Sequence, residues 1–409
     1  MSVWRSIRGV VAALAAGAVL AACGGGGGSD QASGQGGDTF KLLAVLSVSG
    51  ANSQTGGIPS RQALEAGIEI LNKQGGIKGK QIQMDVVDMA SDPTKGVANV
   101  QSYLADHDKP DAVFGGQYSA ESLPLAPILT QAELLQMSSS ITPSLDNPQK
   151  FPYAFQQSIP IATIIDVLAT HLAGQGYKTV GYAAGDDESG HSAVDAFTKV
   201  AASKGLTVVP GFVPPGSVDA TATLERIRAS NPDVLVLNGV GPAAATLLKS
   251  RTNLGWTIPT VGEGTAFAAN DLGKISSPAD WNNVTVQTPN WQVAGSNILS
   301  VPAFKTFLDT YKAKNQITIG MGGLVCIYEN LIAIKAAAEA APTTGGADLA
   351  KAMESFGPTP IPASISSLWI GPGGLGASAQ HHSNQAWGTG DFTFVPAQAL
   401  QDGMASVRT

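Results

Sequence analysis

The side chains in this sequence that could bind a small molecule are hydroxyl groups and a few carboxylates. Ser119 and the short segment with Ser138, Ser140 and Thr142 present hydroxyls, and Glu263 stands between two glycines. A hydroxyl both donates and accepts hydrogen bonds, and a carboxylate flanked by glycines is open to a bound cation. These residue types favour a small polar ligand over a phosphate or a metal ion.

The elements that must position these residues alternate between short apolar runs and longer amphipathic runs. The first half predicts strands at 40–48, 81–88, 111–114 and 134–137, and helices at 59–73, 93–106 and 120–131. The second half predicts strands at 179–183, 206–209, 233–237 and 257–261, and helices at 161–173, 192–203, 220–229 and 243–254. This order is typical of a parallel sheet with helices on both faces.

The two halves resemble each other. The segment 109–116, KPDAVFGG, leads through a helix to the Ser-rich loop at Ser138, and 231–239, NPDVLVLNG, leads through a helix to the loop at Gly262. We therefore predict two α/β lobes. Because ligands bind outside the carboxyl ends of parallel strands, the lobes would enclose one cleft lined by the loops that follow the strands.

The first thirty residues predict where the protein works. Arg5 and Arg8 precede an apolar stretch at 9–22, which is too short to span a bilayer core of roughly 30 Å. The stretch ends in LAAC at 20–23, which resembles a bacterial lipobox, whose Cys is acylated. We predict a lipoprotein signal peptide at 1–22, a lipid anchor on Cys23 and a Gly-rich tether at 23–38. The alternative is a cleaved secretory signal with a coincidental Cys.

Several segments, taken in order, resemble the branched-chain amino acid class of ABC-transporter substrate-binding proteins, the type I periplasmic binding proteins. They are 69–80 (EILNKQGGIKGK), 88–93 (DMASDP), 115–119 (GGQYS), 138–143 (SSSITP) and 303–312 (AFKTFLDTYK). The resemblance implies two Rossmann-like lobes with parallel sheets and a multi-stranded hinge that closes over a ligand without catalysis. It places lobe one at 40–160 and 287–375, and lobe two at 161–286 and 376–409.

The resemblance also assigns ligand-binding roles. It implies that the loop of Tyr118 and Ser119 and the loop of Ser138, Ser140 and Thr142 hold the α-carboxylate of an amino acid, and that Glu263 holds its α-ammonium group. The residues themselves leave Ser119 open as an ordinary helix cap. Gln117, Tyr118 and Trp291 could form part of an aromatic or polar wall, or could simply pack.

In the predicted second lobe, three acidic residues have two possible roles, and two positions differ from the family. Asp186, Asp187 and Glu188 follow a predicted strand, and they either help to hold an ammonium group or cap the next helix. Family members often carry aromatic residues where this chain has Ser189 and Pro242. The usual branched-chain specificity therefore does not carry over directly.

Composition and missing motifs exclude several functions. With 24 Lys and Arg against 31 Asp and Glu, the net charge of −7 gives no basic surface for nucleic acid. The motifs G-x-x-x-x-G-K-[ST], G-x-S-x-G and H-E-x-x-H do not occur. A G-x-G-x-x-A match at 239–244 suggests an NAD-dependent enzyme as an alternative, but Pro242 removes a backbone N–H beside the turn.

The remaining cysteine and histidines predict no chemistry. We interpret Cys326 as a small buried hydrophobic residue and the His381–His382 pair as exposed polar surface. No metal and no cofactor are expected. The sequence thus predicts a monomeric, extracytoplasmic solute-binding protein that delivers a small solute, a branched-chain or other neutral amino acid, to an ABC permease. An amide, urea or small-carboxylate binder, or a ligand sensor for a membrane receptor, are the alternatives.

Overall fold

The computed structural model describes residues 39–239, 242–264, 276–356, 380–383, 388–396 and 403–405. The predicted signal peptide, Cys23 and the tether lie outside the described residues.

The first sheet is parallel throughout and has the strand order β2-β1-β3-β4-β5. Its strands are β1 (Phe40–Leu46), β2 (Ile82–Asp88), β3 (Ala112–Gly115), β4 (Gln136–Ser138) and β5 (Ala154–Gln156). The helices between them are α1 (Ile58–Lys73), α2 (Pro93–Asp106), α3 (Ser119–Ser122) and α4 (Ala126–Gln131). The helices thus form crossovers between successive strands from β1 to β4. These parallel strands therefore all end at the same edge of the sheet.

The second sheet has the order β11-β10-β9-β8-β6-β7, and only the β10–β11 pair is antiparallel. Its strands are β6 (Thr179–Gly185), β7 (Thr207–Val213), β8 (Val234–Asn238), β9 (Thr260–Gly262), β10 (Val284–Pro289) and β11 (Phe392–Pro396). The accompanying helices are α5 (Ile161–Gly174), α6 (Glu188–Ala201), α7 (Thr221–Arg228) and α8 (Pro242–Asn253). The prediction of two α/β lobes built on parallel sheets is confirmed.

Among the described residues, three further α-helices follow β10: α9 (Pro302–Lys312), α10 (Met321–Ala340) and α11 (Gly346–Ser355). Within the described ranges, α10 alone is long and apolar enough to cross a membrane. Most of this helix is buried in the hydrophobic core of the first lobe. Tyr328 of α10 stacks on Phe307 of α9 at 4.5 Å. Gly67 of α1 brings α1 and α10 together, because a Cβ there would lie 2.9 Å from Leu331 and Tyr328. We therefore interpret α10 as a core helix.

Two predicted helices differ from the observed ones for local reasons. The predicted helix 120–131 is interrupted between α3 and α4 by a 3-10 turn at Leu123–Leu125, where Pro124 and Pro127 cannot donate helical hydrogen bonds. The predicted helix 192–203 begins earlier, at Glu188, because the Asp187 side chain caps it.

The chain passes between the two sheets more than once. After β5 it enters α5, whose Ile161 and Ile165 belong to the second lobe's core, and after β10 it returns to α9 in the first lobe's core. Isolated bridges pair Gln156 with Ser383 and Val293 with Ala405. These crossings are consistent with a hinge of several segments, and the lobe boundaries themselves stay a proposal.

The expectation that both histidines of the pair 381–382 are exposed is wrong for His382. His381 is exposed beside Asp146, but His382 is fully buried, with its ring stacked 3.8 Å from that of Phe155. His382 Nδ1 lies 3.0 Å from Ala154 O, and Nε2 lies 3.1 Å from a Glu354 carboxylate oxygen. Burial lowers the pKa of His382. The imidazole is therefore a packing group at the hinge, because both nitrogens have protein partners.

Gly190 allows α6 to start against the end of β6, and its replacement tests this placement. A Cβ at Gly190 would lie 2.0 Å from the Gly185 carbonyl oxygen, so Gly190→Ala should lower the free energy of unfolding by about 1–3 kcal/mol. Gly174→Ala is the matched control, because a Cβ at Gly174, at the end of α5, meets nothing within 4 Å. We expect it to change stability by less than about 1 kcal/mol. Urea unfolding of both variants measures the difference, and equal stabilities would contradict the packing.

Candidate functional site

A cluster of hydroxyls forms where β3 and β4 of the first lobe end. Ser119, the first residue of α3, accepts a hydrogen bond from the Ser140 hydroxyl at 3.1 Å and one from the Ile141 N–H at 3.4 Å. Ser140 Oγ in turn accepts from the Thr142 N–H at 3.3 Å. All three predicted residues, Ser119, Ser140 and Thr142, are buried. The structure thus brings these three predicted binding residues together.

Thr142 extends this cluster across to the second lobe. Its hydroxyl donates to Glu188 Oε1 at 2.5 Å, and Glu188 is the first residue of α6. The neighbouring Ile141 packs against the second lobe's core cluster, to which Tyr182 and Val261 belong. The loop after β4 therefore contacts both lobes.

The other predicted first-lobe residues bond within their own lobe. The Tyr118 hydroxyl donates to Thr55 O at 2.8 Å, and Gln117 Oε1 accepts from the Ser60 hydroxyl at 2.9 Å. Ser138 is fully buried in β4 and donates to Phe155 O at 3.4 Å. Tyr118 also fixes the loop after β1, because a Cβ at Gly56 would lie 2.6 Å from its ring. These residues shape the loops of the first lobe.

Glu121 is a buried carboxylate at this edge that the sequence analysis missed. Its Oε1 accepts from the Ser47 hydroxyl at 2.6 Å and from Asn52 Nδ2 at 3.2 Å. The Ser47 hydroxyl also accepts from the Ser91 N–H at 3.1 Å. Glu121 thereby ties the loops after β1 and β2 to α3. The sequence signal for Glu121 was a single carboxylate in a segment whose other residues form the packed face of a helix.

Glu263 is the corresponding carboxylate of the second lobe. It directly follows β9 and is fully buried, and Asn238 at the end of β8 donates to its Oε2 at 2.9 Å. Burial and the charge of Glu263 raise the pKa of Tyr182 well above its ordinary value. A carboxylate in this enclosed environment interacts strongly with a cation, because little water screens its charge.

The three acidic residues after β6 have three different partners. Asp186 pairs with His191 at 2.8 Å in an exposed position. Asp187 accepts from the Gly190 N–H at 2.9 Å, which is the expected helix-cap role. Glu188 reaches Thr142 and also accepts from the Ser192 hydroxyl at 3.1 Å. Of the three, Glu188 therefore contacts the other lobe, through Thr142.

Trp291 and Cys326 pack rather than present chemistry. The Trp291 ring lies edge-on to the Phe304 ring, with 6.4 Å between the ring centroids. It packs against the hydrophobic core of the first lobe. The Cys326 thiol donates to Gln157 O at 2.5 Å, and burial raises its pKa to about 12. The thiol is therefore protonated at neutral pH, and a thiolate nucleophile is not available there.

A metal site and the dinucleotide motif are two further candidates. Within the described ranges, no group of three His, Cys, Asp or Glu residues could hold a metal ion. In the G-x-G-x-x-A match, Val240 and Gly241 lie outside the described residues. A separate surface pocket of about 360 Å³ is lined by Lys41, Asp85 and Tyr103, among others. It lies near the start of β1, away from the carboxyl ends of the strands.

Comparisons with known proteins agree with this architecture. The sequence model of the family described as periplasmic binding protein matches residues 39–389. The Leu/Ile/Val-binding protein homolog 1 of Brucella melitensis is 25% identical over 321 residues, which cover 76% of this chain and 81% of the relative.

Two solved structures show the same fold. An extracellular ligand-binding receptor from Rhodopseudomonas palustris HaA2 superposes with a TM-score of 0.74 at 19% identity, covering 91% of this chain and all of the neighbour. A solute-binding protein of an ABC transporter from Rhodopseudomonas palustris BisB5, in complex with 3,4-dihydroxybenzoic acid, has a TM-score of 0.65 at 21% identity. It covers 77% of this chain and 85% of the neighbour.

Proposed function

Because the chain belongs to the periplasmic binding protein family, we propose that it is the solute-binding component of an ABC importer. In this role it captures a small polar solute between its lobes and delivers it to a membrane permease. The family consists of solute-binding proteins, and membership of it implies that the protein works outside the cytoplasm. The solute class that fits best is a neutral amino acid.

The contact of the β4 loop with both lobes is the observation that carries this proposal. That loop holds Ser140 and Thr142, and it joins the Ser119 cluster to α6. A solute placed there would meet hydroxyl and amide donors from one lobe and the buried carboxylate of Glu263 from the other. Donors on one side and a carboxylate on the other complement a zwitterion, whose own carboxylate and ammonium groups need opposite partners.

Closure of the lobes would report that a solute is bound. The Thr142–Glu188 hydrogen bond and the Ile141 packing are contacts that depend on how the two lobes are arranged. A solute that touches both lobes adds further contacts to the same arrangement, so it shifts the population toward it. The permease would then recognise the closed form, and no chemical step is required.

The relatives and neighbours are named for solutes of different kinds. One relative is named for leucine, isoleucine and valine, whereas one structural neighbour holds an aromatic carboxylic acid. This chain has Ser189 and Pro242 where the family resemblance expects aromatic side chains. We therefore propose an amino acid or amide without assigning a branched side chain.

A lipid anchor on Cys23 would hold the protein at the outer face of the cytoplasmic membrane. The tether at 23–38 is rich in Gly, Ser and Gln, a composition that behaves as a flexible linker. Cells expressing the full chain should incorporate labelled palmitate into the wild-type protein and leave the Cys23→Ala variant unlabelled and released from the membrane fraction. Equal labelling of the two proteins would contradict the anchor.

Calorimetry tests the binding role of Glu263. Titration with L-leucine, L-threonine, L-glutamine, benzoate and urea should reveal at least one solute that binds the wild-type protein. For an ammonium-bearing solute, Glu263→Gln should weaken binding about 10- to 100-fold, because a charge-assisted hydrogen bond contributes about 1.5–3 kcal/mol.

Asp186→Asn is the matched control, because that carboxylate is exposed and already paired with His191. We expect its affinity to stay within about twofold of wild type, since exposed ion pairs contribute little. Unchanged affinity in Glu263→Gln would remove the ammonium role. Absence of binding by the wild-type protein across a wide panel of small solutes would overturn the proposed function.

A further inference from the structure

Glu188 is placed to contact a solute as well as to close the cleft. Its Oε1 accepts from Thr142 of the first lobe at 2.5 Å and from Ser192 of its own helix at 3.1 Å. Its Oε2 is buried and has no hydrogen-bond partner among the described residues. A buried carboxylate oxygen without a donor is costly, so a donor supplied by a bound solute would stabilise it.

The two segments that meet at Glu188 carry no Lys or Arg. Neither 115–144, which carries the hydroxyl cluster, nor 185–192, which begins α6, contains a Lys or Arg. His191 is engaged with Asp186 in an exposed position. Glu263 adds a second buried carboxylate to the same lobe. The segments that meet at Glu188 therefore supply carboxylates and hydroxyls to this contact and no Lys or Arg.

This arrangement conflicts with the sequence-based role of Thr142. The family resemblance implies that the Thr142 loop holds a solute carboxylate, but the Thr142 hydroxyl already donates to a carboxylate of the protein. A solute carboxylate within about 4 Å of Glu188 would be repelled strongly, because two like charges at that distance interact with little screening by water. A solute ammonium, amide or hydroxyl group at that position would be attracted and would supply the missing donor.

We propose that Glu188 determines the specificity of the cleft, by selecting solutes that present a hydrogen-bond donor beside Thr142 and rejecting those that present a carboxylate there. This inference rests on the proposed function and narrows its solute class. It favours amino acids, amides and cationic solutes over simple carboxylic acids. A solute carboxylate would be restricted to the Ser119 and Ser140 end of the cluster.

A purely structural role for Glu188 would have a different signature. An acidic residue in the first turn of a helix stabilises it by about 0.3–1 kcal/mol through the helix dipole. Loss of that interaction would lower the melting temperature slightly and would weaken all solutes equally. A specificity role instead changes the ratio of affinities between two solutes that differ in charge alone.

Matched acid and amide pairs provide the test. Calorimetry on the full mature chain would measure L-leucine against L-leucinamide, L-glutamate against L-glutamine, and benzoate against benzamide. Glu188→Gln keeps the size of the side chain and an oxygen that can accept from Thr142, so the fold should be retained. For each pair that the wild-type protein binds, we expect this variant to raise the acid-to-amide affinity ratio at least about tenfold.

Asp186→Asn controls for charge on the same loop, because it removes one negative charge from an exposed position two residues away. We expect its acid-to-amide ratio to stay within about twofold of wild type. An unchanged ratio in Glu188→Gln, or an equal shift in Asp186→Asn, would overturn the inference while leaving the solute-binding function intact. If the wild-type protein bound none of these solutes or any others in a wide panel, the proposed function would fail, and this inference with it.

Discussion

The parallel pairing of strands is the constraint on which the rest of this structure depends. A parallel strand can be followed by another only through a crossover, so the loops after β1, β3 and β4 emerge at one edge of the first sheet. The same rule places Asn238 and Glu263 together at the ends of β8 and β9. Residues far apart in the sequence thereby become neighbours without any local signal that pairs them.

Three buried or half-buried carboxylates lie near the carboxyl ends of the strands. Glu121, Glu188 and Glu263 each accept a hydrogen bond from a hydroxyl or amide donor. Hydrogen bonds from neutral donors keep a carboxylate in place but do not cancel its charge. Charged residues make up only 13% of the chain. A few carboxylates can therefore dominate the electric field around them. The proposed preference for a solute with a positive or donor-rich end rests on these carboxylates.

Sequence patterns predicted most of the fold because apolar periodicity is a local property. Strands β1–β4 and β6–β9, the helices between them and the cap at Asp187 follow from neighbours within a few residues. The cluster of Ser119, Ser140 and Thr142 joins residues up to 23 positions apart, and the family resemblance pointed to it. The strands β5, β10 and β11 and the buried imidazole of His382 were missed, because each depends on contacts with distant segments. The partner of Thr142 was missed for the same reason, since Glu188 lies 46 residues away in the sequence.

A crystal structure with the tightest-binding solute tests the central claim most directly. The account predicts a solute bonded to Ser119 or Ser140 on one side and to Glu263 on the other, with a nitrogen or hydroxyl donor facing Glu188 Oε2. Density for the solute only at another place, such as the pocket of Lys41, Asp85 and Tyr103, would contradict it. A carboxylate of the solute placed directly against Glu188 would leave the binding function standing and would refute the role given to that residue.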